Sequence, residues 1–349
     1  MSDAAERVQA LVRAARVVAD SESALGRRAR LLLTESTGLS REGVELALAH
    51  CLETEPCAAE ITALVASVHP APRAHVILPA NVFIAAHRAI ALALATSPTV
   101  WVKPSRREPH FARLLAEAAP GLFELTDEID PAPGDHVWAY GGDASLAAIQ
   151  SVLPPGAVLH AQGPGYGVAV VDAAHVGPET AQALAADIVP FDQRGCLSPR
   201  AALVIGPKAS AERFAELVAT ALAEAAERVP LGRLDTEELA DARAFRNTQT
   251  FAGPTFAAGP GIVALAAHDH GALAPVGRHL LVTACPDPLP LLVPRAQDLT
   301  SLGVAGPPEL QTALATRFPQ ARTTHLGAMQ HPPFDGPADQ RTSFLQPSP

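Results

Sequence analysis

The sequence lacks an excess of positive charge. Its 26 Lys and Arg residues are outnumbered by 36 Asp and Glu residues, which gives a formal net charge of −10. A surface that binds nucleic acid needs clustered Lys and Arg to meet the phosphate backbone. The composition therefore argues against a nucleic-acid partner, but it leaves room for a local basic pocket that holds a phosphorylated cofactor.

The sequence also lacks a long apolar run. No stretch approaches the roughly 18 uncharged apolar residues that a membrane span needs. The best candidate, residues 89–96, is short and is flanked by Arg88 and Pro98. The N-terminus is a charged amphipathic helix without the apolar centre of a secretory signal. We expect no membrane span and a cytoplasmic protein.

Cysteine is scarce, which excludes a disulfide scaffold in a chain of 349 residues. The four cysteines are Cys51, Cys57, Cys196 and Cys285. Cys51 and Cys57 are too far apart for a common zinc pair, and Cys285 is typical of a buried strand end. His268 and His270 have no third ligand nearby and indicate a surface loop, so we expect no metal site.

What the sequence does contain is an alternation of strand, tight turn and helix. Residues 1–68 have helical apolar spacing, with a helix start at Ser40. Strands are predicted at 75–78, 99–102, 136–140, 157–160 and 168–171, with helices at 82–96, 109–118 and 144–152. This order is typical of an open parallel sheet, which binds ligands at the carboxyl ends of its strands.

A second strand and helix, at 201–205 and 209–228, follow Cys196. The length of the chain predicts two domains. Past residue 240 the sequence is rich in Pro and Gly and indicates irregular structure, and the tail from Pro332 is expected to fray. No Walker loop or GxGxxG motif follows any strand. The Gly-rich residues 162–167 indicate only that the backbone approaches another group closely.

One cysteine lies in a polar loop, in the sequence FDQRGCLSPR at residues 191–200. An isolated cysteine is usually a small buried hydrophobic residue. Here Cys196 follows Gly195 and is close to Arg194, and a nearby positive charge can lower a thiol pKa and favour the thiolate. Attack on a carbonyl would create an oxyanion, for which Asn81 can supply a hydrogen-bond donor. Asp192 is interpreted as a turn former rather than a base.

Several of these motifs occur in the order and approximate spacing of the aldehyde dehydrogenase superfamily. They are Asn81, KPS at 103–105, GG at 141–142 and the Gly-Cys loop. More narrowly, FDQRGCLSPR, WVKPS at 101–105 and LGAMQHPP at 326–333 resemble the acyl-CoA reductase family of the bioluminescence fatty-acid reductase type. The resemblance covers about residues 70–341.

The resemblance implies an α/β fold of the aldehyde dehydrogenase type, with a Rossmann-like cofactor domain, a catalytic α/β domain and a helical N-terminal segment. We expect residues 1–172 to contain the N-terminal helices and the dinucleotide-binding domain. Residues 173–325 would form the catalytic domain, and residues 326–349 would return to the first domain.

The resemblance also implies a role for each matching residue. Cys196 becomes the acyl-accepting nucleophile, and Asn81 with the backbone N–H of Cys196 becomes the oxyanion hole. The expected cofactor-binding residues are Lys103 and Ser105 at the adenosine ribose, Gly141 and Gly142 near the phosphates, and Gln162 and Gly163 after the next strand.

The sequence departs from hydrolytic aldehyde dehydrogenases at Gln162. Those enzymes carry a Glu that activates water, whereas residues 160–165 of this chain, HAQGPG, contain no carboxylate. An amide cannot take a proton from water, so the sequence favours a thioester that is resolved by hydride or by CoA.

A second departure concerns the cofactor. NAD-preferring relatives place a Glu directly after the Lys-Pro-Ser turn, but here Arg106 and Arg107 follow Ser105 and Glu108 comes two positions late. Guanidinium groups suit the 2′-phosphate of NADPH. The alternative is that both arginines are solvated at a helix start.

We therefore interpret the chain as an NADPH-dependent acyl-CoA reductase, with CoA as the leaving group and an acyl-Cys196 intermediate. Two alternatives remain open: an aldehyde dehydrogenase that oxidises aldehydes to acids, and a catalytically silent paralogue that serves as a binding or assembly subunit. The chain is short for the superfamily, which leaves the acyl-chain length undetermined. We expect a homo-oligomer, such as a dimer, that acts on a small acyl-CoA or aldehyde.

Overall fold

The N-terminal segment is helical, as the apolar spacing predicts. The computed structural model describes residues 2–266 and 272–341. The first helices are α1 (Asp3–Ala19), α2 (Ala24–Thr37), α3 (Arg41–Leu46) and α4 (Ala58–Ala66), with a π-helical turn at Ala47–Cys51. The hydroxyls of Ser2, Ser23 and Ser40 accept hydrogen bonds from first-turn amides, which fixes where α1, α2 and α3 begin. Ser40 is thus confirmed as a helix start.

A five-stranded parallel sheet follows the N-terminal helices. Its strands are β1 (Ala74–Ile77), β2 (Val100–Lys103), β3 (Glu124–Leu125), β4 (His136–Tyr140) and β5 (Val158–Gln162), in the order β3-β2-β1-β4-β5. The helices between them are α5 (Ala85–Thr96), α6 (His110–Ala118) and α7 (Asp143–Val152). The predicted open parallel sheet is confirmed. The order in which strands are added reverses between β1 and β4, which are parallel, and such sheets bind ligands at this switch point.

Helix α5 explains the apolar run that stood out in the sequence. Every residue from Ala86 to Thr96 is buried, because the helix lies between the first sheet and α1. Among residues 2–266 and 272–341, no helix is both long enough and apolar enough to cross a membrane.

The second sheet has seven strands. They are β6 (Tyr166–Asp172), β7 (Pro199–Ile205), β8 (Thr255–Ala258), β9 (Gly261–Leu265), β10 (Leu280–Cys285), β11 (Leu299–Ala305) and β12 (Arg322–His325). Their order is β12-β11-β6-β7-β10-β9-β8, and only β8 pairs antiparallel to its neighbour. The helices are α8 (Pro178–Ile188), α9 (Lys208–Arg228), α10 (Thr236–Ala252), α11 (Leu289–Leu292) and α12 (Pro308–Arg317).

Three features differ from the sequence-based expectations. The region past residue 240 is regular, since α10, α11, α12 and five strands lie there wholly or in part. Its strands are short and mostly buried, and Pro and Gly mark the turns between them. In addition, β6 belongs to the second sheet, so the change of sheet falls at residues 163–165 and not at residue 172.

The third difference is the tail, which does not fray up to residue 341. Buried Arg88 on α5 donates hydrogen bonds to the carbonyl oxygens of Pro332, Pro333 and Gly336, at 2.7–2.9 Å. The same guanidinium forms an ion pair with Glu53, and this charge holds the pKa of Glu53 at about 2 against the effect of its burial. The tail is therefore fixed to the N-terminal half of the chain. The histidines at 268 and 270 lie outside the described residues.

A three-residue link between β5 and β6 joins the carboxyl end of the first sheet to the amino end of the second. Across this junction the rings of Phe83, after β1, and Phe191, before β7, lie 6.1 Å apart. The turns after β1, β2, β4 and β5 lie at the first of these ends. The loop that carries Cys196 precedes β7 and lies at the second. The fold therefore brings together the two sets of residues that the sequence singles out.

Candidate active site

The cysteine loop begins with three consecutive residues in the left-handed backbone region. Their φ angles are 55° at Phe191, 51° at Asp192 and 69° at Gln193, and none of them is glycine. This conformation costs roughly 1–2 kcal/mol for each such residue. It persists only where the surrounding contacts outweigh that cost.

Side chains of the loop supply those contacts. Asp192 Oδ1 accepts a hydrogen bond of 2.7 Å from Arg278 Nη2, and Oδ2 accepts one of 3.0 Å from the backbone N–H of Gly232. The amide of Gln193 donates to the carbonyl oxygens of Pro199 and His279, at 2.7 Å each, and accepts from the N–H of His279 at 3.1 Å. Asp192 is thus a turn former, and its carboxylate is already neutralised by an ion pair.

The backbone of Cys196 is held by the strand at the other side of the loop. The hydroxyl of Thr300, on β11, lies within hydrogen-bonding distance of the carbonyl oxygens of Cys196 and Tyr166, and it donates to one of them at a time. Thr300 is buried and was not identified from the sequence.

The tail motif LGAMQHPP is hydrogen-bonded to the same loop. Gln330 donates to Ser198 Oγ at 3.2 Å and to the backbone oxygen of Asp187 at 2.9 Å. The carboxylate of Asp187 accepts from the N–H groups of Gly327 and Met329, at 2.6 and 2.9 Å. These contacts explain structurally why the tail motif and the cysteine loop occur together in one chain.

The environment of the Cys196 thiol differs from the sequence-based expectation. Burial raises the pKa of Cys196 to about 11, and the charge of Asp339 acts in the same direction, while Arg341 lowers it. Arg194 is not the positive group at this thiol, since its guanidinium forms an ion pair with Glu238 at 2.6 Å. The expected lowering of the thiol pKa by Arg194 is therefore wrong, and the thiol is protonated at neutral pH in this state.

Asn81 lies in the turn after β1 and is exposed. The methyl carbon Cγ2 of its neighbour Val82 is 3.7 Å from the position that a Cβ on Gly195 would take. The turn that carries Asn81 therefore contacts the cysteine loop through Val82, the residue that follows Asn81.

The residues expected to hold the ribose lie at the end of β2. Lys103 is the last residue of that strand and is half-buried, and the hydroxyl of Ser105 accepts a hydrogen bond from the N–H of Arg107. Arg106 and Arg107 are both exposed. Arg107 Nη2 is 4.0 Å from Asp235 Oδ2 at the start of α10, which is a long contact between exposed groups.

The carboxylate of Glu108 is hydrogen-bonded to the first turn of α6. Glu108 is 4% exposed, and its Oε1 accepts hydrogen bonds from the N–H groups of His110 and Phe111, at 2.8 and 3.0 Å. These are orphan amides of the first turn of α6, so the carboxylate caps that helix. Glu108 is thereby removed as a partner for a ribose 2′-hydroxyl.

The glycine pair after β4 opens helix α7. Gly141 donates its N–H to the carbonyl oxygen of Gln162, and a Cβ on Gly142 would meet nothing within 4 Å. The first-turn amides of a helix have no partner within that helix and can bind an anion. Asp143 adds a negative charge at this turn, so the turn fits a phosphate less well than a neutral one would.

The link between the sheets explains the glycines at residues 163–167. A Cβ on Gly165 would lie 2.4 Å from Cγ2 of Thr300 and 2.9 Å from Nη2 of Arg341, which real Cβ atoms do not tolerate. At Gly165, the close backbone approach that the sequence predicts is therefore to the side chains of Thr300 and Arg341. Gln162 ends β5 and Gly163 follows it, and residues 160–165 bring no carboxylate to the edge that faces Cys196.

The fold is that of the aldehyde dehydrogenase superfamily. A Pseudomonas syringae aldehyde dehydrogenase C mutant, solved with NAD+ and octanal, is 16% identical with a TM-score of 0.69, over 93% of this chain and 77% of that one. The NAD-dependent benzaldehyde dehydrogenase of Corynebacterium glutamicum is 15% identical with a TM-score of 0.68, over 93% and 80%. The lactaldehyde dehydrogenase of Escherichia coli is 15% identical with a TM-score of 0.66, over 93% and 79%.

The sequence assigns the chain to a narrower group within that fold. Residues 123–336, more than half of the chain, match the acyl-CoA reductase (LuxC) family. The chain belongs to this family, and its chemistry is that of an aldehyde-related oxidoreductase. A search among curated proteins finds no match for this chain. Both the superfamily fold and the family resemblance that the sequence indicated are confirmed.

Proposed function

We propose that this protein is an NADPH-dependent acyl-CoA reductase that forms aldehydes through an acyl-Cys196 intermediate. The observation that carries this proposal is the position of Cys196. It follows a strained, heavily anchored loop at the amino edge of the second sheet. That edge faces the carboxyl edge of the first sheet, where residues 160–165 contain no water-activating carboxylate.

The reaction consumes one acyl-CoA, one NADPH and one proton, and it yields an aldehyde, free CoA and NADP+. Cys196 Sγ attacks the thioester carbonyl to form a tetrahedral oxyanion, and the thiol proton passes through solvent to the CoA sulfur, which leaves as free CoA. The side-chain amide of Asn81 and the backbone N–H of Cys196 stabilise that oxyanion. Its collapse breaks the bond to the CoA sulfur and leaves a Cys196 thioester.

The raised pKa of Cys196 bears on this step. A thiol with a pKa of about 11 is almost fully protonated at neutral pH. Attack therefore requires the proton to be removed as substrate binds, and the unliganded enzyme reacts only slowly with other electrophiles.

The nicotinamide cofactor, when bound, supplies the hydride that reduces the acyl group to an aldehyde. Lys103 and Ser105 would bind the adenosine ribose, and Gly141 and Gly142 allow close approach of the phosphates. Gln162 and Gly163 would line the side nearest Cys196. The exposed guanidinium groups of Arg106 and Arg107 are available to a 2′-phosphate, because Glu108 is occupied by capping α6. In this proposal the first sheet forms the cofactor half and the second sheet forms the catalytic half.

The proposal is tested by incubating the full chain with NADPH and a panel of acyl-CoAs of increasing chain length. The expected result is NADPH consumption matched by equal amounts of free CoA and aldehyde, and its loss in Cys196→Ser. An aldehyde dehydrogenase would instead reduce NADP+ in the presence of aldehyde and release the acid. A chain that turns over neither substrate pair but binds acyl-CoA would be the silent paralogue.

A further inference from the structure

The tail carries a buried charge pair next to Thr300, the residue whose hydroxyl contacts the Cys196 carbonyl oxygen. Thr300 Cγ2 and Arg341 Nη2 lie 2.4 and 2.9 Å from the position that a Cβ on Gly165 would take. The side chains of Asp339 and Arg341 are only 8% and 6% exposed. Arg341 Nη2 lies 2.5 Å from Asp339 Oδ2, and Arg341 Nε lies 2.9 Å from Asp339 Oδ1. The two groups therefore form a bidentate ion pair. Neither residue was identified from the sequence, because both lie in a polar tail without a motif.

The remaining N–H groups of Arg341 join two backbone segments of the site. Nη1 donates to the carbonyl oxygens of Pro164 and Gln297, at 2.9 and 3.0 Å, and Nη2 donates to that of Gly163, at 3.2 Å. Gly163 and Pro164 belong to the link between the sheets. Gln297 lies three residues before Thr300, whose hydroxyl is bound to the Cys196 carbonyl.

We propose that Asp339 and Arg341 are positioning residues that hold the Cys196 loop against the inter-sheet link and set the reactivity of the thiol with opposite signs. This inference rests on the proposed role of Cys196 as the nucleophile. Arg341 favours the thiolate, and Asp339 opposes it.

The charges support this assignment. The negative charge of Asp339 raises the pKa of Cys196 and the positive charge of Arg341 lowers it, in addition to the larger effect of burial. Both charges act through a buried environment, where screening by water is weak. Arg341 thus takes the place that the sequence suggested for Arg194.

The test is the pH dependence of Cys196 alkylation by iodoacetamide, followed by peptide mass spectrometry so that each cysteine is counted separately. The variants are Arg341→Gln and Asp339→Asn, each measured in the full chain. Below the thiol pKa the alkylation rate falls about tenfold for each unit by which that pKa rises, since only the thiolate reacts. We expect Arg341→Gln to slow alkylation at pH 8 about threefold or more and Asp339→Asn to accelerate it by a similar factor.

A matched control lies in the same tail. Arg322 and Asp335 form another ion pair, at 2.8 Å, and Arg322 also donates to the backbone oxygens of Pro337 and Ala338. Neither is among the main influences on the pKa of Cys196. Arg322→Gln and Asp335→Asn should therefore loosen the tail without moving the alkylation profile.

Opposite shifts in the two variants, with an unmoved profile in the controls and partial rescue by Arg341→Lys, support the inference. Shifts of the same sign, or equal shifts in the controls, mean that the pair only holds the tail in place and overturn it. If Arg341→Gln does not fold, the direction of the Asp339→Asn shift still decides, since slower alkylation in that variant would overturn the inference. Alkylation needs no acyl-CoA and no NADPH. The alkylation result can therefore be interpreted even if the proposed reaction is not observed.

Discussion

Arg278 donates a hydrogen bond of 2.7 Å to Asp192, and both side chains are at most 2% exposed. Asp192 is the middle one of the three left-handed residues that begin the cysteine loop. Arg278 itself adopts a positive φ of 65°, so strained backbone is present on both sides of the ion pair. The contact therefore fixes the approach of the chain to Cys196.

Replacing Arg278 with Met should destabilise the protein by about 3 kcal/mol, because the buried Asp192 carboxylate loses its partner at 2.7 Å and keeps only Arg194, at 3.5 Å. Urea unfolding measures this change. The exposed Arg243 on α10 provides the control, and Arg243→Met should change stability by less than about 0.5 kcal/mol. The double variant Asp192→Asn with Arg278→Met should recover part of the loss. No recovery would mean that the shape of Arg278 matters rather than its charge.

Replacing Asn81 with Ala should lower kcat by about 100- to 1000-fold, because one oxyanion donor is lost. The affinity for NADPH should stay unchanged, since Asn81 acts on the reacting carbonyl. Steady-state kinetics and a separate fluorescence titration of NADPH measure the two quantities. Asn247→Ala, at an exposed position on α10, is the control. A loss confined to cofactor binding would assign Asn81 to the cofactor site instead.

Replacing Arg106 and Arg107 together with Ala should weaken NADPH binding by about 10- to 100-fold, because charge-assisted hydrogen bonds to the 2′-phosphate are lost. NADH binding should change by less than about twofold, as its ribose carries no phosphate. Calorimetric titration of both cofactors measures this, with the exposed Arg213→Ala on α9 as the control. Equal weakening of both cofactors would mean that the arginines have a structural role.

Stability should fall as the pH is lowered from about 6.5 to about 4, and His160 is one cause. Its ring stacks on Trp138 at 3.9 Å, and its Nε2 lies 3.1 Å from Nδ1 of His136. Burial, followed by the neighbouring histidines, lowers the pKa of His160 to about 4. The unfolded chain, with a pKa near 6.5, therefore binds more protons in this window, and the loss amounts to at most about 3 kcal/mol.

Urea unfolding at pH 7.5, 6.5, 5.5 and 4.5 measures this slope in the protein and in His160→Gln. The variant loses the stacking contact, so its stability at pH 7.5 also changes, but its slope between pH 6.5 and 4.5 should be shallower. His50→Gln, at an exposed histidine, should retain the slope of the unmodified protein. An unchanged slope in His160→Gln would assign the acid sensitivity to other groups.

Most strands and helices up to Arg228 could be predicted because buried apolar strands alternate there with helices of regular spacing, but β3 and α8 were not predicted. Beyond residue 240 this failed, since the strands are short and buried and carry no alternation of polar and apolar residues. Helix α10 was missed because it is exposed along most of its length, and only Ala242 is buried. An exposed helix lacks the apolar stripe on which the prediction depends.

The positions of Asn81, Lys103 and Gly141 at strand ends could be predicted because motifs follow those strands, and the roles of these residues stay predictions. The geometry of the site was not predictable where contacts between residues far apart in the sequence determine it. The left-handed backbone at Phe191 has no sequence signal, because no glycine marks it, and Arg278 lies 86 residues from Asp192. Proximity in sequence to Cys196 pointed to Arg194, whereas the fold brings Arg341 there from the tail.

The most direct test of the account is the intact mass of the protein after incubation with acyl-CoA in the absence of NADPH. Without hydride the acyl group should stay on the enzyme and add the mass of one acyl group, with release of one equivalent of CoA. The adduct should persist when Cys51, Cys57 and Cys285 are replaced by Ser, and addition of NADPH should remove it as aldehyde. An adduct that survives in Cys196→Ala would contradict the account, because the acyl group would then be carried by another residue.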